Sequence, residues 1–194
     1  MSVEEPAPTA YLQINHLNDD ANALCGTRRV PHMLNARLRT CPQDEDQETM
    51  SGLKLMALDG EDLAIISTHM QDSVFKLKDV SFEPRPGQFV LSANRFVWEH
   101  GAKKNHPPER CRSALVVKRV STVRSSGINR TDKEQVHSLL AIRFIQKGEG
   151  PDGTIELTLS GGGAIALDVE CIEAQLTDLS GAWETESTPF HPAD

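Results

Sequence analysis

The sequence predicts an α+β protein with a mostly antiparallel sheet of about seven strands, arranged as a split barrel, with one helix on its N-terminal side and one C-terminal helix. Two observations predict this class. Apolar and polar residues alternate over several runs between residues 75 and 169, as they do in half-buried strands. Residues 59–72 and 172–183 instead place their apolar residues at helical spacing.

A short strand, residues 53–58, opens the patterned part of the chain and leads into the first predicted helix. Asp59 is placed as the N-cap of this helix, and Asp62 three residues later completes a variant of the capping box. The apolar stripe of the helix consists of Leu63, Ile66 and Met70.

Six further strands are predicted, at residues 75–82, 89–98, 110–124, 136–145, 154–159 and 165–169. The first of them bends at Asp79, and residues 84–87, with the sequence PRPG, form the turn after it. The third changes its apolar face midway, which predicts a bulge at residues 118–119. The apolar face of the fourth is predicted to hold Leu140, Ile142 and Phe144.

The glycine run at residues 161–163 is typical either of a phosphate-binding loop or of a hairpin turn. A phosphate-binding glycine loop leads from a strand directly into a helix, whereas these glycines join two alternating strands, so we predict a hairpin. The C-terminal helix is predicted from a stripe at i, i+4, i+7 and i+11, namely Ile172, Leu176, Leu179 and Trp183. About seven strands closed by such a helix resemble a pleckstrin-homology-like fold, an analogy that carries no function.

Composition predicts the domain boundaries and the cellular location. Residues 1–50 lack a sustained period and are predicted to be a disordered or loosely attached extension, with Met50 as an alternative start. Residues 51–184 are predicted to form a single domain and residues 185–194 a tail. No uninterrupted apolar run exceeds four residues, and the first 30 residues lack the apolar core of a secretory signal. We therefore expect a cytoplasmic protein without a membrane span.

Positive charge is concentrated in one stretch. Residues 101–130 hold eight of the twenty Lys and Arg residues, although the whole chain has a net charge of −8. Three of these cations, Arg110, Arg112 and Lys118, share one face if they lie in a strand. The predicted anion-binding or partner-binding surface comprises Arg110, Arg112, Lys118, Arg119 and Arg124. Two interpretations stay open: these cations bind an external anionic partner, or they pair with the protein's own acidic strands, at Glu156, Asp168 and Glu170.

We expect a small soluble binding or adaptor module, not an enzyme, whose basic strand contacts an acidic protein partner. The four cysteines form no C-x-x-C pair, so no metal site is predicted. No cofactor and no catalytic residue is assigned either. Nucleic acid is a disfavoured partner for two reasons. The chain is acidic, and it has only two Trp, one Tyr and six Phe residues on which bases could stack. The alternatives are a weak nucleic-acid binder, or a hydrolase-like enzyme with a site near Asn94, Arg95, Trp98 and His137.

Five blocks of sequence cover most of residues 53–183: LKLMALDGEDLAIISTHMQDSVFKLKD, NRFVWE, RCRSALVVKRVSTVRSSGINRTDKE, LLAIRF and GGGAIALDVECIEAQLTDL. Together they resemble a bacterial family catalogued as domain of unknown function 2948. Residues 1–49 fall outside the resemblance. It implies a small soluble bacterial protein and brings no activity, cofactor or catalytic residue with it.

Overall fold

The computed structural model describes residues 12–13, 52–100, 107–187 and 189. Within them lies one α-helix, α1 (Gly60–Met70). The strands, in chain order, are β1 (Leu12–Gln13), β2 (Lys54–Ala57), β3 (Ser73–Lys76), β4 (Val80–Glu83), β5 (Gln88–Phe96), β6 (Glu109–Val117), β7 (Val120–Ser126), β8 (Val136–Gln146), β9 (Gly153–Leu159), β10 (Ala164–Val169), β11 (Ala174–Asp178) and β12 (Trp183–Glu184). Three short 3-10 turns lie at Leu77–Asp79, Trp98–His100 and Ser160–Gly162.

The twelve strands form one antiparallel sheet in the order β1-β7-β10-β9-β8-β3-β5-β6-β11-β2, with β4 beside β5 and β12 beside β6. Consecutive strands β6 and β7, joined by Lys118 and Arg119, stand six positions apart in this order. In a flat sheet, six spacings of about 4.8 Å would separate them by roughly 29 Å. A two-residue connection spans only about 10 Å. The sheet must therefore curl, so that its distant strands approach each other across a shared interior.

The interior of the curled sheet is the hydrophobic core. Strands from both halves contribute to it, as shown by Leu91 of β5 and Leu167 of β10, both 0% exposed. The helix α1 adds the predicted stripe of Leu63, Ile66 and Met70, each at most 1% exposed, which confirms that stripe. The N-cap is confirmed as well, because Asp59 Oδ1 accepts a hydrogen bond of 2.9 Å from the backbone N–H of Asp62.

The predicted fold class is wrong. Where a C-terminal helix was expected, the described residues form β11 and β12, with Ile172 and Leu176 facing the core at strand spacing. Leu179 and Trp183, which would complete the helical stripe, are 58% and 40% exposed. The sheet has twelve strands where about seven were predicted, and its strand order is an open path rather than a split barrel. The pleckstrin-homology analogy needed the C-terminal helix and is withdrawn with it.

Two local predictions also need correction. Residues 110–124 form two strands, because Arg119 adopts a left-handed φ of 57° that turns the chain from β6 into β7. In β8 the register shifts between Leu139 and Ala141, so Leu139 enters the core and Leu140 becomes 40% exposed. The hairpin at residues 161–163 is confirmed, since β9 and β10 pair across it and Gly161 has a φ of 76°.

Several predictions fall on parts of the chain that are not described. The extension at residues 1–50 lies outside the described residues except for β1, which pairs with β7 through Leu12–Ser125 and Gln13–Arg124. The polar loop at residues 100–109 is described only at its two ends. No helix in the described part of the chain is long and apolar enough to cross a membrane.

Candidate functional site

The outer face of the sheet, on the side away from the core, carries the candidate site. On β6 the residues that alternate with Arg112 are buried, so Arg112 points outward. Asn94 of β5 lies opposite Arg112, and Val74 of β3 lies opposite Asn94. Directly opposed residues of antiparallel strands share a face. The outward side chains of three strands therefore converge near Arg112.

A cleft of about 260 Å³ opens on this face beside Arg112. It forms because β3 pairs with β5 only at Val74–Asn94 before the 3-10 turn Leu77–Asp79 carries the chain into β4. The charged residues lining the cleft are Lys76, Lys78, Asp79 and Arg112. Glu134 contacts both lysines from a neighbouring turn. We call Lys76, Lys78, Arg112, Asp79 and Glu134 the basic cleft.

Three cations share two carboxylates in the basic cleft. The Nζ atoms of Lys76 and Lys78 lie 2.8 Å and 2.7 Å from the two carboxylate oxygens of Glu134. Arg112 Nη2 lies 2.9 Å from Asp79 Oδ1. The hydrogen bonds from the two lysines lower the pKa of Glu134 to about 2, so this carboxyl is ionised at neutral pH. The five side chains together carry one excess positive charge.

The ion pairs of the basic cleft are exposed to solvent. The Glu134 side chain is 62% exposed and the Arg112 side chain 41%. Exposed ion pairs contribute little to stability, because water screens them and two long side chains must be held in place. A carboxylate from another molecule can therefore replace Glu134 at little cost and accept charge-assisted hydrogen bonds from the same donors.

Arg110, a predicted site residue, is buried. It is 9% exposed, and its guanidinium donates hydrogen bonds to the carbonyl oxygens of Asp72 and Asn94, at 3.2 Å and 3.1 Å. Its Cζ lies 5.8 Å from the centre of the Phe96 ring. Burial lowers the pKa of Arg110 from its usual value. These contacts connect β6 to β5 and to the segment before β3.

The other three predicted basic residues lie away from the cleft. Lys118 and Arg119 both contact Glu173, at 2.8 Å and 3.4 Å, and form an exposed cluster at the β6–β7 corner. Arg124 on β7 contacts Asp168 on β10 at 2.6 Å. The structure thus divides the five predicted cations: Arg112 lines the cleft, Arg110 is buried beside it, Lys118 and Arg119 share Glu173, and Arg124 lies apart on β7. Each of the five cations has a contact within the protein. The partner of Arg124 is Asp168, one of the acidic residues that the sequence suggested.

The structure does not assemble the four residues of the alternative enzyme site. Arg95 is on the inner face of β5, whereas its neighbour Asn94 is on the outer face. Trp98 Nε1 donates a 3.4 Å hydrogen bond to the carbonyl oxygen of Gln71. His137 is buried, its ring centre 5.7 Å from that of Phe75, and burial lowers its pKa. No nucleophile and base face each other among these four.

A second cavity, of about 650 Å³, lies at the ends of β5, β6 and β11 and contains a buried ion pair. The Asp178 carboxylate accepts hydrogen bonds from Arg95 Nε and Nη2, both at 2.8 Å. It accepts two more, from Ser113 Oγ at 2.6 Å and from the backbone N–H of Leu53 at 2.8 Å. Burial raises the pKa of Asp178, but these hydrogen bonds outweigh it and the pKa is lowered. The four hydrogen bonds thus hold the Asp178 carboxyl in its ionised form.

The other ionisable groups at this cavity include a thiol, a second carboxylate and an imidazole. Cys111 lines it, and burial raises the pKa of its thiol, which keeps the sulfur protonated at neutral pH. Glu99 contacts Arg95 Nη1 at 3.1 Å and lies 3.3 Å from His69 Nδ1. Across the described ranges, no group of three His, Cys, Asp or Glu residues is placed to hold a metal ion. These contacts link α1, β5, β6 and β11 around the cavity.

A family model described as "Protein of unknown function (DUF2948)" matches residues 53–191. The chain belongs to this family. The match contains the region 53–183 in which the sequence resembled it. No curated protein and no solved structure matches the chain.

In this DUF2948 protein, sequence reasoning identified Arg112 but missed Lys76, Lys78 and Glu134. The alternation of Phe75 and Leu77 with the two lysines was the available signal, because it places both lysines on the solvent side of a strand. Glu134 had no such signal. It lies 58 residues from Lys76 in the sequence, and only the pairing of β3 with β8 brings them together.

Proposed function

We propose that this protein is a non-enzymatic binding module that engages an acidic protein partner through its basic cleft. The observation that carries the proposal is the cleft itself, in which three cations share two exposed carboxylates beside a space of about 260 Å³. That space accommodates a carboxylate side chain, and the exposed pair with Glu134 exchanges readily. Arg112 keeps its predicted role, while Lys76 and Lys78 join it in place of the buried Arg110.

A protein partner is favoured over nucleic acid by charge. The chain has a net charge of −8, which repels a polyanion carrying one charge for every few ångströms. A folded acidic protein presents its carboxylates locally and can meet the cleft without facing the rest of the acidic surface. The cytoplasmic location and the bacterial source stay predictions made from the sequence.

The test is affinity capture with the tagged full chain from the cells that express it. Three baits are compared: the wild-type chain, the cleft variant Lys76→Ser/Lys78→Ser/Arg112→Ser, and the control variant Arg85→Ser/Arg143→Ser/Lys147→Ser. The control removes three exposed cations elsewhere, so both variants have the same net charge. We expect an acidic protein that the wild type and the control retain and the cleft variant loses, with retention falling as salt rises.

Two results would overturn the proposal. One is an identical set of captured proteins with the cleft variant. The other is capture that disappears after nuclease treatment, which would make nucleic acid the ligand. Circular dichroism melts of the three baits check that the cleft variant is folded.

A further inference from the structure

Beyond the basic cleft, the outer face continues as a surface of uncharged side chains. One cross-strand row places Met56, Gln175, Val116 and Val90 side by side. In the neighbouring row Ala114 lies opposite Ser92, and on its other side this row runs through Thr177 to the exposed Lys54 of β2. The first row together with Ala114 and Ser92 makes six residues. Five of the six side chains are half-buried, and Met56 is 59% exposed. We call these six residues the uncharged strip.

Positive clusters lie on both sides of the strip along the direction of β6. Along β6, Arg112, Ala114 and Val116 follow one another at every second residue and share the outer face, and the exposed Lys118 follows directly after the end of β6. Six residues of strand separate Arg112 from Lys118 by about 20 Å. Arg112 belongs to the basic cleft, and Lys118 shares Glu173 with Arg119. The central surface therefore has a cationic group at either end.

The strip lies on the face of the sheet, where an added strand would find no backbone partners, and of its strands only β2, which carries Met56, ends the described sheet. Within the described sheet, β5, β6 and β11 each have a paired strand on both sides. An α-helix satisfies its own backbone hydrogen bonds and packs on a sheet through side chains alone. The helix α1 lies on the core side, with its apolar stripe buried there. A helix is thus the element that fits the outer face.

We propose that an amphipathic helix of the acidic partner binds to the uncharged strip, an inference that rests on the proposed function. Its apolar stripe lies over Val90 and Val116, and carboxylates at the two ends of the stripe contact Arg112 and Lys118. A separation of about 20 Å corresponds to about 13 or 14 helical residues. Charge complementarity selects this occupant, since both ends of the strip are cationic.

The test uses two helical peptides of about 20 residues, a length at which helices are stable enough to study. They have identical composition and net charge, but one has glutamates at both ends of its apolar stripe and the other has them in the centre. Binding to the full chain is followed by fluorescence anisotropy. We expect the first peptide to bind at least about tenfold more tightly, because the second must press charges against an uncharged surface.

Variants locate the contact. Val90→Thr/Val116→Thr keeps the β-branched shape and should weaken binding of the first peptide several-fold. Lys118→Gln/Arg119→Asn should remove most of the preference, and Asn is chosen because position 119 has a φ of 57°. The control variant Arg85→Ser/Arg143→Ser/Lys147→Ser should leave the preference intact.

Equal affinities for the two peptides, or no binding of either, overturn the inference. The proposed function is judged separately, by the dependence of affinity capture on the basic cleft. If capture depends on the cleft and the peptides bind equally, the helix-docking inference fails alone. If the captured proteins do not depend on the cleft but the two peptides bind with different affinities, the proposed function fails. The strip then has a different partner from the one proposed.

Discussion

The buried pair of Arg95 and Asp178 should hold four separated segments of the chain together, because Asp178 lies on β11 and its partners lie on three other segments. The Arg95 side chain is 3% exposed and that of Asp178 is 6% exposed, and the carboxylate accepts four hydrogen bonds, from β5, β6 and the segment before β2. Asp178→Asn removes the negative charge and leaves the buried guanidinium with Glu99 as its remaining carboxylate partner. Breaking a buried pair in this way costs about 3–5 kcal/mol. For a domain of this size, that is a fall of roughly 6–20 °C in Tm.

The assay is urea unfolding followed by tryptophan fluorescence, at neutral pH and at low pH. The pKa of Asp178 is lower in the folded state, so its contribution is complete above its unfolded pKa of about 4 and is lost as pH falls through the folded value. The stability difference between wild type and Asp178→Asn should therefore shrink below about pH 4. Glu149→Gln, at an exposed turn, is the control and should change little. A difference below about 1 kcal/mol at neutral pH would refute the reasoning, because it would equal the contribution of a surface pair.

Three further predictions concern stability. Leu176→Ala, at a fully buried position of β11, should cost about 2–5 kcal/mol in chemical unfolding, and an unchanged midpoint would contradict its place in the core. Gly87→Ala should cost about 1–3 kcal/mol, because Gly87 has a φ of 61° and a Cβ there would lie 2.9 Å from the carbonyl oxygen of Val120. Gly60→Ala, where a Cβ meets nothing within 4 Å, is its control. A chain starting at Met50 should fold with a Tm close to that of the full chain, since every core residue in the described part of the chain follows it; a loss of cooperative melting would show that residues 1–49 are required.

The C-terminal region shows why the sequence predicted some elements and missed others. Ile172, Leu176, Leu179 and Trp183 fit a helical stripe, yet Ile172, Ala174 and Leu176 fit a strand equally well. The strand pattern should continue inward at position 178, where the sequence has Asp. The burial of the Asp178 side chain depends on its pairing with Arg95, which is 83 residues away in the sequence. The residues near position 178 therefore do not indicate that this position is buried. Long-range pairing overrode the local period here.

The candidate site, like the C-terminal strands, was predictable only in part. Local alternation placed Arg112 on an outward face and, through Phe75 and Leu77, also placed Lys76 and Lys78 there. The burial of Arg110 was not predictable, because it depends on Phe96 and on two carbonyl oxygens from β5 and from the segment before β3. The cleft also depends on a single residue pair between β3 and β5, a feature of register with no sequence signal.

The position of β11 determines when this protein can fold during its synthesis. β11 pairs with β2 on one side and with β6 on the other, joining Leu55 to Leu176. A nascent chain that has emerged only as far as β10 therefore carries β2 without its partner and β6 with an open edge. Unpaired edges of this kind invite aggregation while the ribosome is still adding residues. Chains that terminate before Ala174 should consequently accumulate as chaperone clients, although they contain the basic cleft and most of the core.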